Sequence, residues 1–97
     1  MTIILHCYYP GQDGSARKFA EEMISSGLQQ EVLNEEGCLQ YDYFVSSKDG
    51  ETVALLEKWR DAATLDAHQV GEPMKKIQAL KAKYGLSITV ERYELND

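Results

Sequence analysis

Residues 38–59 read CLQYDYFVSSKDGETVALLEKW, and this segment carries the strongest structural signal in the chain. Apolar side chains alternate with polar ones from Leu39 to Val45, which is the period of a strand with one apolar face. The polar run 47–50 contains an Asp-Gly pair, a typical turn sequence, and leads into a second apolar run that ends at Trp59. The segment therefore predicts a β-hairpin with strands over 38–46 and 52–59.

The chain before the hairpin predicts one strand and one helix. The run from Thr2 to Tyr9 is rich in Ile, Leu and Tyr and stops at a Pro-Gly pair, which cannot continue a strand. A helix then begins at Ser15, where Asp13 or Ser15 itself can cap it, and Gly27 weakens its interior. Its apolar positions follow a helical period along one face: Ala16, Phe19, Ala20, Met23, Ile24, Leu28 and Val32.

The chain after the hairpin predicts two short helices and a last strand. Asp61 stands where the N-cap of a helix through about Val70 belongs, and Pro73 suits the first turn of the next helix. Gly85 ends that helix, and the segment 87–95 is rich in strand-forming residues.

This order of elements predicts an α+β fold. It is the ferredoxin-like βαββαβ unit, a four-stranded antiparallel sheet with helices on one face, and residues 1–97 form a single domain. The other sheet face would carry Tyr, Trp and Leu side chains that are too apolar to stay in water. Pairing two copies sheet on sheet about a twofold axis covers that face, so we expect a homodimer.

Composition excludes several classes of function. The formal net charge is -6, and nucleic-acid binding needs a clustered basic surface. The nearest candidate is a group of lysines on one helix, Lys75, Lys76, Lys81 and Lys83, which is typical of a solvated helix face. The sequence shows no signal peptide and no membrane-spanning run, so we expect a cytoplasmic protein that binds neither nucleic acid nor membrane.

The sequence predicts that the two cysteines are packing residues. Cys7 and Cys38 lie in predicted strands and have no CxxC spacing or histidine partners of a structural zinc site. We therefore expect both to be reduced and at least partly buried.

Four short motifs occur in the order and spacing of a known family. They are Pro10-Gly11 after the first strand, Glu36-Gly37-Cys38-x-x-Tyr41, Glu57-x-Trp59 and Leu65-x-x-His68. In these motifs the chain resembles the antibiotic biosynthesis monooxygenase family over nearly its whole length. The resemblance implies the dimeric α+β barrel, in which two such sheets pack together.

The resemblance also implies a reaction. Members of this family oxidise small aromatic compounds such as quinols or polyketide anthrones with dioxygen, and other relatives keep the fold but have changed the chemistry. An electron-rich phenolate or carbanion can itself reduce dioxygen, so no flavin or metal cofactor is needed. The protein then supplies an apolar pocket, a base and hydrogen bonds to the anion.

Six residues are the candidates for this site. His68 would be the catalytic base, because imidazole exchanges protons near neutral pH. Trp59, Tyr41 and Tyr43 would line the substrate pocket, although strand aromatics are core residues more often than ligand contacts. Glu57 shares the parity of Trp59 and, if buried, needs a hydrogen bond or an ion pair. His6 reaches the same cavity only if its face of the first strand is the inward one.

Other functions compete with the monooxygenase. A dimer on the same fold could bind a small metabolite without oxidising it or act as an isomerase, and a free sheet edge could recruit a partner protein. A sugar phosphate would require converging cations, and Arg17, Arg60 and Arg92 are too scattered in the sequence to predict such a site.

Overall fold

The computed structural model describes residues 1–96, which contain the predicted order of strands and helices. The strands are β1 (Thr2–Tyr9), β2 (Cys38–Val45), β3 (Val53–Trp59) and β4 (Thr89–Leu95). The helices are α1 (Ser15–Ser25), α2 (Leu28–Leu33), α3 (Ala62–Gln69) and α4 (Glu72–Lys83). The strands form one antiparallel sheet in the order β2-β3-β1-β4, and this confirms the ferredoxin-like fold. Within residues 1–96, no helix combines the length and the apolar character that crossing a membrane requires.

The predicted hairpin is present as β2 and β3. In its turn, the Asp49 side chain accepts hydrogen bonds from the backbone N–H groups of Glu51 and Thr52. The predicted apolar face of β2 is only partly correct, because the pairing with β3 is irregular between Cys38 and Gln40. Leu39 is consequently exposed, since an irregular residue does not keep the alternation of the strand.

The single long helix predicted from Ser15 is in fact two helices. Gly27 adopts a left-handed conformation with φ 82°, which ends α1 and starts α2 in a new direction. The predicted cap is also wrong: Gly14 is the N-cap of α1, and none of the described side chains caps this helix. Both helices still keep their apolar faces on the core, where Phe19, Met23 and Val32 are fully buried.

The boundaries of α3 and α4 follow their predicted signals. The Asp61 side chain accepts a hydrogen bond of 2.9 Å from the Thr64 backbone N–H and so caps α3. Pro73 lies in the first turn of α4, and the backbone N–H of Gly85 bonds the Ala82 carbonyl just past its end. With these boundaries, α3 and α4 each pack one face against the sheet.

The sheet has one covered face and one open face. On β1 and β3 every second residue is buried beneath the helices, from Ile3 to Tyr9 and from Val53 to Trp59. The alternate residues point to the other face, where no helix covers them among residues 1–96. This open face carries Ile4, His6, Tyr8, Phe44, Leu56 and Tyr93. Both cysteines are free, Cys7 buried and Cys38 half-buried, as predicted.

Candidate functional site

A cavity of about 290 Å³ lies between the covered sheet face and helices α3 and α4. Its floor is formed by alternate residues of the strands, among them Leu5, Cys7 and Tyr41, and its walls by helix residues such as Leu65 and Ile77. The lining is mostly apolar, with a few polar groups at defined places, which is the usual character of a small-molecule site.

His68 is the titratable residue that α3 contributes to this cavity. Capping by Asp61 sets the start of α3, and the helix turns Thr64 and Leu65 inward one turn later and His68 inward two turns later. The His68 side chain is only 2% exposed, and its Nδ1 atom lies 2.6 Å from Glu35 Oε2. A carboxylate only accepts hydrogen bonds, so Nδ1 carries the hydrogen and donates it to Glu35. In the neutral ring, Nε2 then keeps its lone pair; this atom is buried and has no hydrogen-bond partner within residues 1–96.

Glu35 reaches the imidazole because the loop between α2 and β2 is held against α3. The carbonyl of Gly37 in this loop accepts a hydrogen bond of 2.7 Å from the Arg60 backbone N–H, directly after β3. Gly37 has φ 83°, and a Cβ atom there would overlap the Thr64 side chain of α3. The glycine therefore allows the loop and the helix to pack closely, which brings Glu35 to His68.

Glu35 is not among the six residues that the sequence predicts for the site. No local pattern singles it out, because the residue it contacts lies 33 positions later in the chain. The one sequence signal near Glu35 was Gly37 of the Glu36-Gly37-Cys38-x-x-Tyr41 motif, because a glycine indicates that another element packs closely there.

Trp59 lies behind the imidazole rather than in the cavity lining. Its ring stacks on His68 with a centroid distance of 4.6 Å and an interplanar angle of 27°. Its indole N–H donates a hydrogen bond of 3.0 Å to Glu57 Oε1. The predicted aromatic wall is thus a support that fixes the plane of the His68 ring.

Glu57 is a buried carboxylate in the floor of the cavity. It accepts hydrogen bonds from Trp59 and, at 3.6 Å, from the Cys7 thiol, as expected for a buried polar group. Burial raises the pKa of Glu57, and the hydrogen bond from Trp59 partly opposes this shift. Burial also raises the pKa of the Cys7 thiol well above its ordinary value, so Cys7 is a packing residue.

The tyrosines differ in their relation to the cavity. Tyr41 lines it, lies opposite Glu57 in the sheet and approaches His68 edge-on at 6.3 Å between ring centroids. Burial raises the pKa of the Tyr41 hydroxyl. Tyr43 lies on the same sheet face but packs edge-on against Phe19, away from the cavity. The structure therefore brings Tyr41, but not Tyr43, to the site.

His6 does not reach the cavity. It lies on the open face of β1, where its Nδ1 atom is 3.1 Å from the Tyr8 hydroxyl and 4.0 Å from Glu91 Oε1. Its face of β1 is therefore the outward one, and the sheet separates it from His68. Within residues 1–96, no group of three or more His, Cys, Asp or Glu side chains is arranged to hold a metal ion.

Comparisons with known proteins agree with this fold. The sequence profile of the family described as antibiotic biosynthesis monooxygenase matches residues 2–80. A Bacteroides thetaiotaomicron protein, named as an oxidoreductase candidate of unknown function, is 24% identical with a TM-score of 0.84, and 97% of each chain is covered. A Deinococcus radiodurans protein, named as a candidate antibiotic biosynthesis monooxygenase, is 14% identical with a TM-score of 0.84, covering 98% of this chain and 93% of that one.

A third crystal structure, of a Pseudomonas aeruginosa protein, is 26% identical with a TM-score of 0.78, covering 98% of this chain and 95% of that one. None of the curated proteins compared with the chain matches it. The structural likenesses support the fold, and the profile match covers most of the sequence. The chain belongs to the antibiotic biosynthesis monooxygenase family.

Proposed function

We propose that the protein is a cofactor-independent monooxygenase that oxidises a small quinol-like aromatic compound with dioxygen, and that His68 is its base. One observation carries the proposal: His68 binds Glu35 through Nδ1 and keeps an unpartnered Nε2 atom beside an apolar cavity. A buried polar atom without a partner is rare in folded proteins and is typical of a site that awaits a ligand.

The first step is removal of a phenolic proton. Nε2 of His68 accepts the proton, and the resulting imidazolium is stabilised by the Glu35 carboxylate at the other ring nitrogen. The substrate becomes a phenolate whose negative charge is shared with a ring carbon. Trp59 keeps the imidazole plane fixed during this transfer.

The electrons for the reaction come from the substrate. The anion transfers one electron to dioxygen, and the resulting radical pair joins to form a C–O bond and a peroxide at the ring carbon. The O–O bond then breaks as that carbon loses its hydrogen as a proton, which yields a ring carbonyl and water. With hydroquinone, one molecule of the diol and one of dioxygen give one hydroxylated benzoquinone and one water. One oxygen atom enters the ring and the other leaves as water, so the reaction needs no flavin or metal.

The cavity favours this reaction through its size and polarity. A volume of about 290 Å³ is roughly twice that of an engineered cavity of about 150 Å³ that binds benzene, so it suits one substituted ring. The apolar walls exclude water from the anion and the peroxide. Burial raises the pKa of the Tyr41 hydroxyl, which keeps its hydrogen and can donate a hydrogen bond to a developing oxyanion.

We further propose that the protein works as a homodimer paired through the open sheet face. Phe44 and Tyr93 are 53% and 51% exposed on this face, beside half-buried Ile4 and Leu56. An apolar sheet face of this kind is normally covered in a soluble protein, and a second copy covers it with matching chemistry.

Oxygen uptake with hydroquinone tests the proposal. The variant His68→Asn keeps an N–H donor near the position of Nδ1 but lacks the base, so we expect kcat to fall about 10²- to 10⁴-fold. The matched control is Lys75→Gln, which alters an exposed side chain of α4 outside the cavity and should keep full turnover. Far-UV circular dichroism verifies that both variants are folded.

Glu35→Gln tests the role of Glu35 as a positioning residue. A hydrogen bond to a charged group is worth about 1.5–3 kcal/mol and a neutral one about 0.5–1.5 kcal/mol. The loss of about 1–2 kcal/mol predicts a kcat roughly 5- to 30-fold lower with an unchanged KM.

Unchanged turnover in His68→Asn would remove His68 from the mechanism, and ligand binding without oxygen uptake would favour the metabolite-binding or isomerase alternative.

A further inference from the structure

Two cationic side chains line the cavity, and the sequence did not predict that they lie together. Lys81 comes from the last turns of α4, and Arg92 from the middle of β4 on the covered face, opposite Leu5. They lie 11 positions apart in the sequence, and only the fold brings both to one cavity. Lys81 is half-buried, whereas Arg92 is exposed, so the pair marks the open end of the cavity.

Neither cation has a protein partner among residues 1–96. Three other lysines of α4 form ion pairs, Lys75 with Glu72, Lys76 with Glu31 and Lys83 with Glu22. Lys81 and Arg92 form no ion pair and no side-chain hydrogen bond within the described residues. In a chain with a net charge of -6, two unpaired cations at the mouth of one cavity stand out from their surroundings.

The inner end of the cavity carries an acidic residue and a histidine in place of the two cations. Glu57 is the acidic residue of the described lining and is buried in the floor, and His68, whose Nε2 atom is unpartnered, lines the same cavity. A ligand carboxylate would be repelled by ionised Glu57, and a neutral phenol would find an acceptor in His68. The two ends therefore select different groups of one ligand.

We propose that the substrate is an aromatic carboxylic acid, whose carboxylate is held by Lys81 and Arg92 at the mouth and whose phenolic hydroxyl lies against His68. The guanidinium of Arg92 can bind a carboxylate through two parallel hydrogen bonds, and Lys81 adds a point charge. Binding of the carboxylate end stands on the cavity alone, while the assignment of the phenol to the reacting end rests on the proposed function.

Binding measured by calorimetry tests the carboxylate end. The probes are 2,5-dihydroxybenzoate and hydroquinone, which differ only in the carboxylate, and we expect the acid to bind at least about tenfold more tightly. Lys81→Gln and Arg92→Gln should each weaken binding of the acid roughly tenfold and leave hydroquinone binding unchanged. The matched controls are Lys75→Gln on the same helix and Arg17→Gln on α1, neither of which lines the cavity.

The outcomes separate the two proposals. Equal binding of the acid and the diol, or full binding of the acid by Lys81→Gln and Arg92→Gln, overturns the carboxylate assignment even if oxygen is consumed. Preferential binding of the acid without oxygen uptake supports the carboxylate assignment and contradicts the monooxygenase. Uptake of oxygen with a lower KM for 2,5-dihydroxybenzoate than for hydroquinone supports both.

Discussion

Replacement of Gly37 by alanine is expected to destabilise the protein far more than the same replacement at Gly27. Both residues have nearly the same left-handed backbone, with φ 83° and φ 82°. Each substitution therefore adds about 1–2 kcal/mol of left-handed strain. The surroundings differ, because a Cβ at position 37 would overlap Thr64, whereas none of the described atoms lies within 4 Å of a Cβ at position 27.

The overlap sets the size of the expected difference. Relief requires that α3 move away from the loop, and overpacking of this kind costs about 1–3 kcal/mol. We therefore expect losses of about 2–5 kcal/mol for Gly37→Ala and about 1–2 kcal/mol for Gly27→Ala. At about 4–8 °C per kcal/mol for a domain of this size, the melting temperatures should differ by roughly 4–24 °C.

Urea unfolding followed by far-UV circular dichroism measures both losses. The protein concentration is kept equal, because dimer formation would make the midpoint depend on it. The Gly37 variant should also lose turnover, since a shifted α3 carries His68 away from Glu35, while the Gly27 variant should keep it. Equal midpoints for the two variants would refute the close packing of loop and helix inferred here.

Three further results are expected. Burial raises the pKa of Glu57 above 4.5, so ionisation of this carboxyl destabilises the folded state as the pH rises past that value. Glu57→Gln should therefore have a higher urea midpoint than wild type at pH 7, and this gain should vanish at pH 4. A lower midpoint for the variant at both pH values would contradict this reasoning. Leu56→Arg on the open face should sediment as a monomer at micromolar concentration, while Val70→Arg, at an 80% exposed residue just past the end of α3, should stay dimeric. A monomeric wild type would refute the dimer. Burial raises the pKa of Cys7 and raises that of Cys38 to about 11, so a thiol reagent at pH 8 should label both slowly until urea is added, and rapid labelling of the native protein would show that a thiol is accessible.

The sequence predicted the order of elements well because their signals are local. Asp61, Pro73 and Gly85 act within a turn of their own positions, and the alternation in β1 and β3 follows directly from burial of one face. The break at Gly27 was missed because the apolar period continues across it, while the chain changes direction through a single backbone angle.

The candidate site was predictable only in part, because it depends on contacts between distant segments. His68 and Tyr41 were found by their motifs, and the structure places both on the cavity. Glu35 and the Lys81–Arg92 pair come from segments whose spacing carries no signal, so only the fold brings them together. The face of His6 could not be decided from one strand, because either face of β1 carries apolar residues.

The stacking of Trp59 on His68 gives the protein an internal optical reporter. Trp59 is the only tryptophan of the chain, so all indole emission originates from the ring that stacks on the His68 imidazole. A ligand in the cavity contacts the imidazole on which this indole stacks, and so changes the surroundings of the indole. Ligand binding can therefore be followed by light emitted from the unlabelled wild-type protein.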